Sequence, residues 1–327
     1  MSVRPPTLEV VTMGRVGVDL YPLQVGVPLA DVRTFAKSLG GSATNVAVAA
    51  ARLGRRAAVV TKVGDDPFGP FVRAALQGFG VDTRWVGTDP ELRTPVVFCE
   101  IFPPDHFPLL FYRQPKAPDM NLTLDDLDLD AMAAAPLLWT TGTGLSDEPS
   151  RSTTLAALVA RAPDALTVHD LDHRPMFWRS EGEARRLARE ALGHATVAVG
   201  NLDEVEMATG TRDPWDASAA LLELGARLAV VKRGPAGVLG RTADRTVEVA
   251  PVRVEVLNGL GAGDAFGGAL CHGLLAGFGL ERLLAFANAA GAIVASRLAC
   301  ADDMPTPAEV EALLAGAPLA SPRRSLE

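Results

Sequence analysis

The stretch with most chemistry in it is Asn258-Gly-Leu-Gly-Ala-Gly-Asp264-Ala-Phe, which follows a strand-like run, Val252–Leu257, and opens a long apolar helical pattern. Gly261 and Gly263 permit backbone conformations and close approaches that a side chain would block. A helix starting there presents unpaired N–H groups and its positive dipole end, together an anion site. Asp264 falls in the first turn, where a carboxylate is stabilised in its charged form. A carboxylate beside an anion hole suits phosphoryl transfer: it accepts a proton from an attacking hydroxyl while the amides hold the transferring group. The transition state of that reaction is loose, so the proton leaves late and an ordinary carboxylate suffices. The same string also describes an Asp that merely caps a helix after a Gly-rich turn. It is a poor dinucleotide fingerprint, because an acid directly after the last glycine repels a pyrophosphate and the pattern comes late in the chain. No Gly-x-x-x-x-Gly-Lys-Ser/Thr is present, which excludes a P-loop.

Arginines mark a second cluster. In Thr167–Arg174 an extended chain would put Asp170, Asp172 and Arg174 on one side, and Pro175 biases Arg174 towards that conformation. Phe111-Tyr112-Arg113 would aim a second guanidinium at the same cleft. Guanidinium groups read planar carboxylates bidentately, which points to a sugar acid. The competing reading pairs Arg174 internally with Asp170 or Asp172. His169 and His173 fall on the opposite side without a third ligand, which argues against zinc.

Alternating apolar runs and helical patterns must carry these groups. Strands are expected at Leu8–Met13, Ala57–Val63, Leu137–Thr140, Leu166–Asp170, Thr196–Val199 and Leu228–Lys232. Helices are expected from Ser42 to Leu53, Phe68–Phe79, Ser150–Arg161, Glu181–Leu192, from Asn201 and Pro214, and at Gly263–Ala276, Glu281–Arg297 and Pro307–Leu314. Such alternation implies a parallel sheet covered by helices on both faces. Val16–Lys37 and Thr94–Arg113 interrupt it; they read either as a small antiparallel sheet, a natural lid, or as two long surface loops. One α/β domain over 1–316 is expected, with lid strands from about 15–37 and 94–113 and a loose tail at 317–327.

Composition narrows the function. The 327 residues carry a net charge of −8 and only four lysines, Lys37, Lys62, Lys116 and Lys232. An acidic chain without a basic stripe is a poor partner for nucleic acid. Cys99, Cys271 and Cys300 are odd in number and widely spaced, which fits a reducing cytoplasm and no disulfide framework. The start, Met-Ser-Val-Arg-Pro-Pro, lacks a signal-peptide pattern, and the most apolar stretch, Ala265 to Leu280, is too short to span a membrane.

Taken together, the motifs resemble the ribokinase (PfkB) family of carbohydrate kinases along nearly the whole chain. They are Gly40-Gly41-Ser42-Ala-Thr-Asn45-Val-Ala, Gly64-Asp-Asp-Pro-Phe-Gly69, Asn201-Leu-Asp-Glu204, Lys232-Arg-Gly234-Pro-Ala-Gly237 and Gly261-Ala-Gly-Asp264, in family order. The resemblance implies a three-layer ribokinase-like fold, ATP and Mg²⁺, and a set of roles. Asp264 would be the base, and the amides of Gly261, Ala262 and Gly263 the anion hole. Asn201 and Glu204, placed on one helix face by their spacing, would organise Mg²⁺ and the phosphates through water. Lys232, Gly234, Gly237 and Asn288 would border the nucleotide, and Asp19, Gly41 and Asn45 would bind sugar hydroxyls. The family commonly has Asp-Thr before Gly-Ala-Gly-Asp, the Asp lying near a monovalent-cation site; Asn258-Gly259 stands here instead, which puts K⁺ activation in doubt. Gly14-Arg-Val-Gly-Val-Asp19, Tyr112-Arg113 with Asp119, and Asp172-His-Arg174-Pro with Trp178 resemble one subgroup, whose members phosphorylate the 6-hydroxyl of 5-dehydro-2-deoxy-D-gluconate. Kinases of 2-dehydro-3-deoxygluconate and of fructose are the neighbouring alternatives, and a catalytically silent sugar-acid sensor is the non-enzymatic one. The family is often dimeric, and an exposed lid could pair with a second copy.

Overall fold

A computed structural model describes residues 8–319. The chain runs β1 (Val10–Met13), β2 (Gly17–Pro22), β3 (Phe35–Gly40), α1 (Ser42–Arg52), β4 (Ala57–Gly64), α2 (Phe68–Gly78), β5 (Val86–Asp89), β6 (Val96–Cys99) and β7 (Leu109–Tyr112). It continues through α3 (Leu129–Ala134), β8 (Leu137–Thr141), α4 (Ser150–Val159), β9 (Leu166–Asp170), α5 (Glu181–Leu192), β10 (Val197–Asn201), α6 (Leu202–Thr209), α7 (Pro214–Glu223) and β11 (Leu228–Lys232). A hairpin, β12 (Val238–Arg241) and β13 (Thr246–Val249), precedes α8 (Ala262–Leu275), α9 (Leu280–Ala295) and α10 (Pro307–Leu314).

Two sheets result. The larger has nine strands in the order β13-β12-β11-β10-β9-β8-β1-β4-β5. Seven of them, β11 through β5, pair in parallel, and the β12–β13 hairpin closes one edge antiparallel. The central strands are buried on both faces, as in Val10–Met13 and Leu137–Thr141, which is why they read as unbroken apolar runs. The smaller sheet, β3-β2-β6-β7, is mixed: β2 pairs with β3 antiparallel and with β6 parallel. It decides between the two readings of the interrupting stretches in favour of a sheet, and β3 continues to Gly40, beyond the expected limit.

Strand order reverses between β1 and β8, since the chain leaves β1 for β4 on one side and reaches β8 on the other. Crevices at such reversals, outside the carboxyl ends of the strands, are where open α/β sheets bind ligands. Helix α8 reaches that crevice by packing tightly on α1. Gly268 makes this possible: a Cβ there would lie 2.3 Å from the Ala49 Cβ of α1.

Some expectations need correction. Val252–Leu257 forms no strand; it is irregular, and at its end Leu257 N donates to the Ala295 carbonyl of α9. The strand ending in Asp170 does not extend to Arg174, because Asp172 adopts a positive φ of 27°. Of the tail, only 317–319 is described, and Leu319 packs against the main core; the rest of the expected loose segment lies outside the described residues, as does the start of the chain. Among the described residues no helix is long and apolar enough to cross a membrane.

Candidate active site

The strand ends and one helix start converge on the crevice. Gly261 caps α8 in the left-handed region at φ 78°, with the Cys300 sulfur 2.4 Å from where a Cβ would sit, so only glycine fits. Helix α8 then begins at Ala262 with no side-chain cap, leaving its first amides unsatisfied by the helix itself. Asp264 stands in this first turn and accepts a 2.8 Å hydrogen bond from Asn45 Nδ2 of α1. Burial pushes its carboxyl up to about 6; the Asn45 bond and the charges of Arg15 and Arg174 oppose the rise, and Asp172 adds to it. The Oδ1 of Asn45 is buried without a partner, an acceptor facing a place where a ligand hydroxyl could donate.

Asp19, on β2, is the small sheet's contribution. It accepts a 3.0 Å bond from the Tyr21 hydroxyl and packs so closely on Gly40 that a Cβ there would overlap its carboxylate. Burial raises this carboxyl to about 6 as well, against the Tyr21 bond and Arg15. Gly41, at φ 104°, lies against the Arg15 backbone.

At the reversal itself sits an ion pair that sequence reasoning missed. Arg15, following β1, is 7 % exposed and bonds Thr143 Oγ1 of the β8 end at 3.0 Å, Ser42 Oγ at 3.2 Å and Asp172 Oδ2 at 3.1 Å. Asp172 also accepts from Ser42 and Thr143, each at 2.8 Å. Although burial works against its charge, Arg15, Arg174 and these hydroxyls hold the Asp172 carboxyl far below its usual range. The only signal for Arg15 was its place in Gly14-Arg-Val-Gly17; a lone arginine after a strand looks like surface until the reversal is known.

The second guanidinium is half-engaged. Arg174 Nη2 lies 3.2 Å from Asp172 Oδ1, its side chain is 35 % exposed, and its Nε has no partner. The structure therefore contains the internal pairing and a residual donor edge together. It brings Asp172 and Arg174 to the cleft through a turn, not through strand alternation. Arg113 is more fully committed, with both terminal nitrogens on the buried carboxylate of Asp119, which also accepts the Val16 amide. Tyr112 is corrected outright. It is 61 % exposed and meets Phe98 edge-on, whereas its neighbour Phe111 points inward against Phe177. Strand alternation thus turns Tyr112 away from the cleft.

The remaining residues lie at the ends of β10 and β11. Asn201 caps α6 by accepting from Glu204 N at 3.0 Å, and Glu204 Oε2 accepts from Asn201 N at 2.7 Å, a reciprocal capping box. Glu204 is buried, not a surface residue. Lys232 Nζ lies 3.9 Å from both Glu204 and Asp170, and 3.5 Å from where a Gly263 Cβ would sit, which places its charge beside the helix start. Burial disfavours this ammonium, but Asp170 and Glu204 outweigh it and raise its pKa. Gly234 and Gly237, at φ 55° and 86°, shape the turn after β11, and Asn288 donates to the Ala250 carbonyl at its border. His169 Nδ1 is 3.0 Å from Thr140 Oγ1, and burial lowers its pKa to about 4, keeping the ring neutral.

A carboxylate at an uncapped helix start, with cations after the ends of nearby parallel strands, is the site of a phosphotransferase, and the class that this fold and site define is the sugar kinases. Residues 7–307 match the pfkB family of carbohydrate kinases, and the chain belongs to that family. The chain is 32% identical to the 5-dehydro-2-deoxygluconokinase of Shouchella clausii (strain KSM-K16), across 94% of this chain and 95% of that one. A sugar kinase from Pyrococcus horikoshii solved in complex with ATP is 29% identical, covering 92% of this chain and 96% of that one, at a TM-score of 0.77. A fructokinase double mutant from Vibrio cholerae O395, solved with fructose, ADP and potassium ion, is 28% identical over 95% of this chain and 100% of that one, at a TM-score of 0.82.

Proposed function

We propose that this sugar kinase transfers the γ-phosphoryl group of ATP to the 6-hydroxyl of 5-dehydro-2-deoxy-D-gluconate. The observation that carries the reading is Asp264, held by Asn45 at the uncapped start of α8 and within the field of Arg15 and Arg174. The attacking hydroxyl donates to Asp264, a neighbouring sugar hydroxyl donates to the orphaned Asn45 Oδ1, and Asp19 and Gly41 hold further sugar oxygens. As the oxygen attacks the γ-phosphorus and the bond to ADP breaks, the hydroxyl proton passes to the Asp264 carboxylate. The amides of Gly261, Ala262 and Gly263 receive the charge on the phosphoryl oxygens, a task for preorganised donors. Lys232 stands beside them for the phosphates, and Gly234, Gly237 and Asn288 border the adenosine side.

Mg²⁺ suits the hard oxygen donors near Lys232. It keeps several waters and needs only one or two carboxylates besides the phosphates. Glu204 and Asn201 would hold those waters, the capping box taking one of the several acceptor sites on the Glu204 carboxylate. Bound there, the ion neutralises phosphate charge. The buried, unpartnered Nε of Arg174 favours a substrate carboxylate, whereas Arg113, already satisfied by Asp119, acts by fixing the inner face of the small sheet. The names of the curated relatives support the same acceptor. The three free buried cysteines suit a cytoplasmic setting.

ADP release measured against a panel of sugars and sugar acids tests this. Turnover is expected with 5-dehydro-2-deoxy-D-gluconate in preference to 2-dehydro-3-deoxygluconate and fructose. Turnover confined to neutral sugars overturns the carboxylate assignment, and sugar-acid binding without any ADP release overturns the kinase reading in favour of a sensor.

A further inference from the structure

Asn258 precedes the anion-hole glycines, at the position where the family commonly carries an Asp beside a monovalent cation. Its surroundings do not fit such an ion. The side chain is 1 % exposed, and its Nδ2 donates to the Leu298 carbonyl at 2.7 Å. Its Oδ1 accepts from Leu260 N at 3.0 Å, and its backbone N donates to the Ala295 carbonyl at 3.1 Å, which the Leu257 amide shares at 2.9 Å. The nearby Asp303 carboxylate accepts from Ala299 N at 2.8 Å. Each of the Asn258 bonds joins a donor to an acceptor, and those to Leu298 and Ala295 tie the end of α9 and the loop after it to the segment that ends in Gly261.

An aspartate in this place would set a carboxylate against a carbonyl, two acceptors that repel unless a cation lies between them. The asparagine amide supplies the missing donor, and an ion at the Leu298 carbonyl would instead meet the positive end of the N–H₂ dipole. We propose that this kinase works without a monovalent cation, because the Asn258 amide makes directly the bridge that an aspartate makes through an ion. The anion hole is then held in shape by a neutral side chain.

The test compares K⁺, Na⁺ and tetramethylammonium as the sole monovalent cation at equal ionic strength. ADP affinity by calorimetry and Tm by differential scanning fluorimetry need no sugar, so they remain informative whichever acceptor the enzyme uses. Coupling between an activating ion and a ligand ordinarily amounts to roughly 5–150-fold in affinity; ADP affinity, Tm and turnover of the wild-type chain are expected to be the same in all three salts. A gain in K⁺ within that range overturns the proposal. Asn258→Asp restores the acceptor pair and should bind ADP weakly in tetramethylammonium and recover in K⁺, with a Tm that rises only with K⁺. An Asn258→Asp protein equally competent in both salts also overturns it. If that variant does not fold, the wild-type comparison decides alone.

Discussion

Asp264 and Asp19 are each raised to about 6 by burial; the Asp264 charge adds to the cost of ionising Asp19, and Arg15 opposes the rise in both. Only the ionised Asp264 accepts a proton, so kcat/KM should climb as pH rises through about 6 and level off above it. A profile flat down to pH 5 would place the base elsewhere. The sign for stability is opposite: between the unfolded value near 4 and the folded value near 6 the native state binds more protons, so ionising these two groups costs stability as pH climbs through that window. Asp264→Asn removes the proton acceptor and keeps the Asn45 contact in shape; turnover should fall by about 10²–10⁴ with sugar binding retained in calorimetry. Arg174 and Arg15 should separate cleanly. Arg174→Ala should raise KM for the sugar acid with little change in kcat or Tm, whereas Arg15→Ala takes the most buried cation from Asp172, leaving it Arg174 and two hydroxyls, and should cost about 1.5–3 kcal/mol in a denaturant melt. Equal thermal effects of the two variants would reassign Arg174 to structure.

Helices α1 and α8 bring Asn45 to Asp264, and their spacing depends on one residue without a side chain. A methyl group on Gly268 would meet Ala49 at 2.3 Å, so Gly268→Ala should wedge the pair apart, costing about 1–3 kcal/mol and lowering kcat through a stretched Asn45–Asp264 bond. Loss of stability with kcat intact would show that the catalytic pair tolerates the shift. Such elements were largely legible beforehand: the buried parallel strands announce themselves as apolar runs, and α8 as a Gly-rich start on an apolar stretch. Val252–Leu257 misled because its alternation is that of a strand, while its last residue bonds the end of α9, a pairing that local pattern does not reveal. The short β5 and the β12–β13 hairpin, at opposite edges, had too little pattern to find. In the site, Asp264 in the first turn of α8 was readable from local sequence, whereas Asn201 and Glu204 came from the family resemblance alone and their reciprocal capping bonds were not foreseen. Arg15 was not, because its partners Ser42, Thr143 and Asp172 come from three distant stretches that only the strand order assembles. Tyr112 failed for a simpler reason: adjacent residues on a strand face opposite ways, and Phe111 took the inward place.

A chain with net charge −8 that handles ATP must concentrate its cations, and Arg15, Arg174 and Lys232 stand at or just after the carboxyl ends of β1, β9 and β11, every second strand of that part of the large sheet. The opposite side of the small sheet is apolar, with Phe35, Phe98 and Tyr112 in edge-on contact and Leu110 48 % exposed. A second copy of the chain is the proposed partner for that face; sedimentation should give a dimer that Tyr112→Asp dissociates, and a monomer for the unaltered protein would remove the assignment. The division of labour between the two sheets reaches further. Asp264, Lys232 and Asn201 are all carried by the large layer, whereas Asp19 and the inward Phe111 belong to the small one. One proposed sugar contact, Asp19, thus rides on a layer that carries none of the proposed reacting groups, while Arg174 and Asn45 stay with the large one. Rewriting two short hairpins would reshape that side of the acceptor's surroundings and leave Asp264 and the start of α8 untouched.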